Sequence, residues 1–123
     1  MPHPISQVQI EQQMLAILDD QEKLLDTLAS VGRDAVDKEA DYKRTYARAY
    51  LSADQMIGKG DNKLPVKTRE IYADHICEQV FHAFKLADFL AKQTREALRV
   101  KERRLDILRS LNSNLRPMVS SGG

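Results

Sequence analysis

The sequence predicts an all-α fold, a long antiparallel helical hairpin of two helices of about 50 residues each. Three observations predict it. Apolar residues recur through the first half of the chain at steps of four and seven residues. The one internal cluster of turn residues lies near the middle of the 123-residue chain. The stretches on either side of that cluster carry opposite charge.

The apolar repeat of the first half predicts the first helix. Its members are Met14, Leu18, Leu25, Ala29, Val36, Ala40, Ala47 and Leu51. This eleven-residue period, about 3.67 residues per turn, keeps a stripe on one face of a nearly straight helix. The stripe stays in phase past Gly32, so we expect one helix over 7–57, started by a capping box of Ser6 and Gln9. The alternative is a break at Gly32, which would give a three-helix bundle.

The segment GKGDNKLP supplies the turn, over 58–64. A second helix is predicted over 65–115, because Pro65 suits a first helical turn and Pro117 disfavours helical geometry in the residue before it.

The domain organisation follows from these bounds. A single hairpin domain occupies 1–116, and 117–123 form a flexible tail. A hairpin has a thin core, so we expect the protein to self-associate as a dimer or higher oligomer.

The charge distribution favours the hairpin independently. The stretch 11–41 has nine acidic and three basic residues, and the stretch 92–116 has eight basic and three acidic ones. Folding about residue 61 would place position n opposite position 122 − n, so that the acidic stretch faces most of the basic one. Each such pair is weak, but together they specify orientation and register.

A tyrosine ladder near the turn is the candidate site for a protein partner. Tyr42, Tyr46 and Tyr50 follow one another at helical spacing, and Arg44 and Arg48 flank them. Tyrosines are frequent anchors of protein interfaces. The alternative is structural, with the ladder packing against the second helix.

The basic stretch is the candidate nucleic-acid site. Its arginines, Arg95, Arg99, Arg103, Arg104 and Arg109, would neutralise phosphates and give salt-sensitive binding. The alternative is that they serve the charge match within the hairpin, because the net charge is only +1 and few aromatic residues lie among them.

The sequence predicts no catalysis and no metal or cofactor site. His75, Glu78 and His82 have neither the order nor the second copy that a di-iron bundle needs. Cys77, the only cysteine, is interpreted as a small buried apolar residue. The chain shows no secretion signal and no stretch apolar enough to cross a membrane, so the bacterial cytoplasm is the expected location.

The order of motifs resembles a family of small all-helical proteins encoded by tailed bacteriophages and prophages. The motifs are ADYKRTYARAYLSA, TREIYADHICEQVF and LDILRSLNSNLR, and the similarity spans 34–116. The resemblance implies a phage origin and genes of recombination or single-strand binding nearby. It implies no catalytic residues.

These observations lead to three expectations for function. The first is a non-enzymatic phage protein that binds and modulates a host or phage DNA-processing or defence factor. The second is direct DNA binding in recombination through the basic helix. The third is a structural component of the phage particle.

Overall fold

The computed structural model describes residues 6–56 and 64–121, with side chains over 6–55 and 64–115. The described residues form three helices: α1, Gln7–Met56; α2, Val66–Ile76; and α3, Glu78–Ser121. Because α1 and α3 pack against each other, the predicted all-α hairpin is confirmed. The predicted turn lies outside the described residues, except for Leu64.

The start and the continuity of α1 agree with the sequence. The Ser6 backbone N–H donates to Gln9 Oε1 at 2.9 Å, and the Gln9 N–H donates to Ser6 Oγ at 3.1 Å. This reciprocal pair is the predicted capping box. The helix runs through Gly32 without interruption, so the three-helix alternative is wrong. A mid-helix glycine costs only about 1 kcal/mol, less than the packing of the flanking turns supplies.

The second half departs from the prediction at two points. Helical geometry is interrupted at Cys77, where φ is −90° and ψ is 5°. The backbone ladder continues, because the Cys77 N–H donates to Ala73 O at 2.9 Å and its carbonyl accepts from Phe81 at 2.8 Å. At the other end, α3 reaches Ser121. The predicted stop before Pro117 is therefore wrong, since proline removes one helical hydrogen bond without necessarily ending a helix.

The chain divides into two compact units. Unit 1 contains residues up to Ala29 together with Lys92 onward, and unit 2 contains Ser30–Ala91. Each unit therefore pairs a segment of α1 with a segment of α3, and unit 2 also contains α2.

In unit 1 the buried residues follow a seam at steps of three and four. On α1 the buried or half-buried seam residues are Ile10, Met14, Ile17, Gln21, Leu24 and Leu28, and on α3 they are Thr94, Leu98, Lys101, Leu105, Leu108, Asn112 and Leu115. Ile10, Ile17, Leu105 and Leu108 form the core cluster. This spacing averages 3.5 residues, the period of a coiled-coil seam.

Unit 2 has an inner seam of the same spacing, and its fully buried residues are smaller than those of unit 1. On α1 it contains Val31, Ala35, Lys38, Tyr42, Thr45 and Ala49, and on α2 and α3 it contains Ala73, Cys77, Val80, Phe84, Ala87 and Ala91. Ala73 and Cys77 are fully buried. Because the seam keeps its phase across Cys77, the local break in the helix does not disturb the packing.

In both units the seam obeys the predicted register. Ile17 and Leu105 share the core cluster of unit 1, and their numbers sum to 122. The ion pair of Asp20 with Lys101 lies within one residue of that register, at 3.1 Å. In unit 2, Asp54 pairs with Arg69, again one residue from it.

The eleven-residue stripe is not the buried face of α1. Leu18, Leu25 and Val36 are 44%, 56% and 66% exposed, and Leu51 is 75% exposed. Met14 is the one large member of the stripe on the inner seam. The helix has apolar residues on two flanks, and the repeat combined members of both.

Candidate functional site

The tyrosine ladder lies in unit 2 and is half-buried. Tyr46 stands 6.1 Å from Tyr42 and 6.4 Å from Tyr50, measured between ring centroids. On α3, the Phe81 and Phe84 rings lie 5.3 Å and 6.0 Å from Tyr42. Tyr42 therefore packs against α3, and each of the three tyrosines keeps part of its side chain in water.

The predicted arginines of the ladder differ in their contacts. Arg44 donates to Asp41 Oδ1 at 2.6 Å within α1, and Arg48 is exposed. Among the described residues, neither guanidinium lies over a tyrosine ring. The arginine that does is Arg69 of α2, whose guanidinium carbon lies 5.5 Å from the Tyr50 ring centroid.

Arg69 joins α1 to α2 through several hydrogen bonds. Its guanidinium pairs with the Asp54 carboxylate and donates to the backbone carbonyls of Tyr50 and Leu64, each at 3.2 Å. Asp54 also accepts the Leu64 N–H at 2.7 Å. The Arg69 side chain is only 13% exposed, so these bonds are shielded from solvent. This network fixes the edge of the tyrosine ladder.

Beside the ladder lies a cavity of about 310 Å³, the Cys77 cavity. It is lined by Tyr42, Asp74, Cys77, Glu78 and Phe81. The lining contains two aromatic rings, two carboxylates and the buried thiol. This combination of apolar surface with a few charged groups is typical of a binding pocket.

Burial and nearby acids act on two groups around this cavity. Burial raises the pKa of the Cys77 thiol, and the Asp74 carboxylate raises it further. Partial burial raises the pKa of Tyr46, with smaller contributions from Asp74 and Glu70. At neutral pH both groups are therefore protonated, and the thiol is a poor nucleophile.

A second apolar face on α1 of unit 1 is the α1 outer seam, and it faces solvent. Its apolar members are Val8, Leu15, Leu18 and Leu25, which are 44–63% exposed. Glu11 and Glu22 occupy the intervening places, so the seam has the same steps of three and four as the buried one. A groove of about 250 Å³ lies beside Leu25, lined also by Gln21, Leu98, Arg99 and Glu102.

The α3 segment of unit 1 has its own α3 outer seam. Ala97, Val100, Arg104, Ile107 and Leu111 follow at the same steps. Val100, Ile107 and Leu111 are 40–60% exposed. Both helices of unit 1 thus present one buried and one exposed seam.

The predicted nucleic-acid residues all lie exposed on α3 of unit 1. Arg99 pairs with Glu96 at 3.3 Å and Arg109 with Asp106 at 3.6 Å, both within the helix. Among the described residues, no ion pair holds the other three, Arg95, Arg103 and Arg104. The predicted charge match across the hairpin is thus carried in unit 1 by Lys101 with Asp20.

Within residues 6–56 and 64–121, no three His, Cys, Asp or Glu side chains are grouped closely enough to hold a metal ion. None of the described helices combines the length and apolar character needed to cross a membrane.

Sequence reasoning missed Arg69, Asp54, Phe81 and Phe84. The 122 − n register contained a partial signal for the two phenylalanines. It places Phe81 opposite position 41, next to Tyr42, and Phe84 opposite position 38, one helical turn before Tyr42. The Arg69 network gave no such signal, since half of its bonds go to backbone carbonyls.

Comparisons with protein families, with curated proteins and with solved structures found no match to this chain.

Proposed function

We propose that this protein is a non-enzymatic interaction protein that binds an amphipathic helix of a protein partner on its α1 outer seam. The observation that carries the proposal is the exposed seam itself. Leu15, Leu18 and Leu25 lie three and seven residues apart, in phase with the steps of the buried seam, but no part of the described chain covers them. Adjacent exposed apolar side chains of this kind mark interaction surfaces.

The spacing of the seam specifies the occupant. Steps of three and four present knobs and holes to another helix, and a strand or a loop would not match them. The groove beside Leu25 has room for a large apolar side chain of that helix. Glu11 and Glu22 interrupt the seam, so the partner helix carries lysine or arginine opposite them.

The class of partner follows from the resemblance to phage proteins. We propose a host or phage factor of DNA processing or defence, acted on in the bacterial cytoplasm. The tyrosine ladder gives a second contact region, because Tyr42, Tyr46 and Tyr50 are only half-buried and Arg69 holds Tyr50 at one end of the ladder. Arg44 and Arg48 lie exposed on the same helix and add charge at its rim.

Self-association belongs to the proposal through the α3 outer seam. If two copies lie antiparallel with Val100 opposite Leu111 of the second copy, Arg104 lies opposite Ile107 and no like charges meet along the seam. Such a contact is isologous and closes a dimer. Light scattering on the purified protein tests it, and a dimer that becomes a monomer in Val100→Gln and Ile107→Gln is the expected result. If the unchanged protein is a monomer at all concentrations, the proposed self-association is wrong.

The partner experiment compares matched variants in capture from a bacterial host lysate. Leu18→Gln with Leu25→Gln should lose the captured DNA-processing or defence factor, while Leu86→Gln should retain it. Leu86 is as exposed as Leu25 but lies on α3 in unit 2. Equal capture by both variants, or capture of no such factor by the unchanged chain, would contradict the proposal.

Direct DNA binding is a second candidate function, favoured by Arg95, Arg103 and Arg104, which have no ion pair among the described residues. Contacts of these three with phosphates would weaken steeply with salt. A gel-shift assay at about 50 mM salt tests it. Changing the three to Glu should abolish a shift that Arg44→Glu with Arg48→Glu leaves intact. The absence of any shift eliminates this candidate.

A further inference from the structure

The aromatic wall of the Cys77 cavity offers ring surface to a ligand. The Tyr42 and Phe81 rings are tilted by 58° to one another. Phe81 is 38% exposed, so the cavity is reached from solvent. Its volume of about 310 Å³ equals that of about ten water molecules, which accommodates the head of a long side chain.

The charges around the cavity are mainly negative. Asp74 and Glu78 line it, and neither forms an ion pair with any described residue. Glu70 lies near enough to affect Tyr46. Of the neighbouring cations, Arg69 is held by Asp54, and Lys85 lies over the Phe81 and Phe84 rings at 5.4 Å and 5.1 Å.

A cation satisfies both features of the cavity. Aromatic faces attract cations, and the carboxylates stabilise them further. Within the chain, the Lys85 ammonium already lies 5.4 Å from the centroid of the Phe81 ring. An anion would be repelled by Asp74 and Glu78, and a neutral apolar group would remove their hydration without replacing it.

We infer that the Cys77 cavity binds the cationic head of an arginine or lysine side chain of a protein partner. The inference rests on the proposed function only because the partner supplies that side chain. It assigns the chemistry of a single contact beside the tyrosine ladder.

Two small probes test the cavity without any partner. N-acetyl-arginine amide carries the guanidinium, and N-acetyl-citrulline amide is its neutral isostere. Each is titrated into the ¹⁵N-labelled full chain while amide chemical shifts are followed. The arginine probe should shift the amides of residues 74–81 with millimolar affinity, and the citrulline probe should bind at least about fivefold more weakly.

Matched variants identify the groups that act. Asp74→Asn with Glu78→Gln should weaken arginine binding by about fivefold or more, and Phe81→Leu should weaken it by a smaller factor. Asp34→Asn is the control, since it removes an exposed carboxylate of unit 2 that does not line the cavity. Circular dichroism reports whether each variant keeps its helices.

Three results would overturn the inference: no localised shifts, equal affinity for the two probes, or unchanged affinity in the double variant. If a variant fails to fold, the comparison of probes on the unchanged chain decides alone. Loss of lysate capture with intact arginine binding would refute the proposed function and leave the cavity assignment standing. Intact lysate capture without arginine binding would refute the cavity assignment and leave the proposed function standing.

Discussion

Units 1 and 2 have the same inner-seam spacing but fill it with residues of different size. In unit 1 the core is Ile10, Ile17, Leu105 and Leu108, all large aliphatic side chains. In unit 2 the buried residues are Ala49, Ala53, Ala73, Cys77, Ala87 and Ala91. A period of 3.5 residues therefore fixes which positions face inward without fixing how much apolar area each contributes.

The difference in residue size separates two sources of stability. Unit 1 depends on burial of branched side chains, each contributing about 2–3 kcal/mol. Unit 2 depends on close approach of small residues, on the aromatic contacts of Tyr42 with Phe81 and Phe84, and on the Arg69–Asp54 network. Truncation should therefore harm unit 1, and enlargement should harm unit 2.

The largest effect is expected for truncation in unit 1. Ile17→Ala should lower the free energy of unfolding by about 3 kcal/mol, because Ile17 is buried in the core cluster. Leu18→Ala is the matched control, at the neighbouring position on the exposed seam, and should cost less than about 1 kcal/mol. Urea unfolding followed by circular dichroism measures both. If both variants lost the same free energy of unfolding, the inner and outer seams of α1 would not differ in burial.

Enlargement in unit 2 should have the next largest effect. Ala73→Leu should lower the free energy of unfolding by about 2 kcal/mol, because Ala73 is fully buried and the added methyl groups have no space. Ala47→Leu adds the same atoms at an exposed position of the same unit and should be nearly neutral. A neutral Ala73→Leu would show that unit 2 is loosely packed.

The inner seam of unit 1 contains a buried polar residue, Asn112, which allows a test in which stability should rise. Asn112 is 6% exposed, and its Oδ1 has no hydrogen-bond partner among the described residues. Asn112→Leu should raise the free energy of unfolding by about 1.5 kcal/mol, since the cost of an unpaired buried carbonyl disappears. Thermal unfolding checks the sign. A loss of stability would indicate that the amide is satisfied in solution.

The smallest effect is expected at Gly32. A Cβ added there meets nothing within 4 Å. Gly32→Ala should therefore stabilise α1 by about 1 kcal/mol through helix propensity alone. Ala35→Gly, one turn away in the same helix, is the control and should cost at least as much. Urea unfolding measures the effect, as the shift of each variant's unfolding midpoint from that of the unchanged chain.

The parts of the fold fixed by local chemistry or by chain length could be predicted. The Ser6–Gln9 capping box needs only two side chains and two backbone groups, and the register was predicted from the place of the one internal turn cluster in the sequence. The stripe on α1 misled because Leu18 and Leu25 are as apolar as Leu24 and Leu28. Only contact with α3 decides which flank is covered.

The candidate site could be predicted in part. The helical spacing of Tyr42, Tyr46 and Tyr50 located the aromatic surface. The Cys77 cavity could not be predicted, because its lining residues come from three helices that only the fold brings together. Arg69 was missed because its main acceptors are backbone oxygens, which every residue has.

In each unit the numbers of facing residues sum to within one of 122, and this register limits how the chain can change in length. Deleting one residue from α1 turns all the following side chains by about 100°, so the apolar ones leave the seam. Deleting seven from α1 and seven from the facing stretch of α3 leaves each remaining layer intact. Relatives of this protein should therefore differ in helix length by matched blocks of seven residues, and their two helices should lengthen or shorten together.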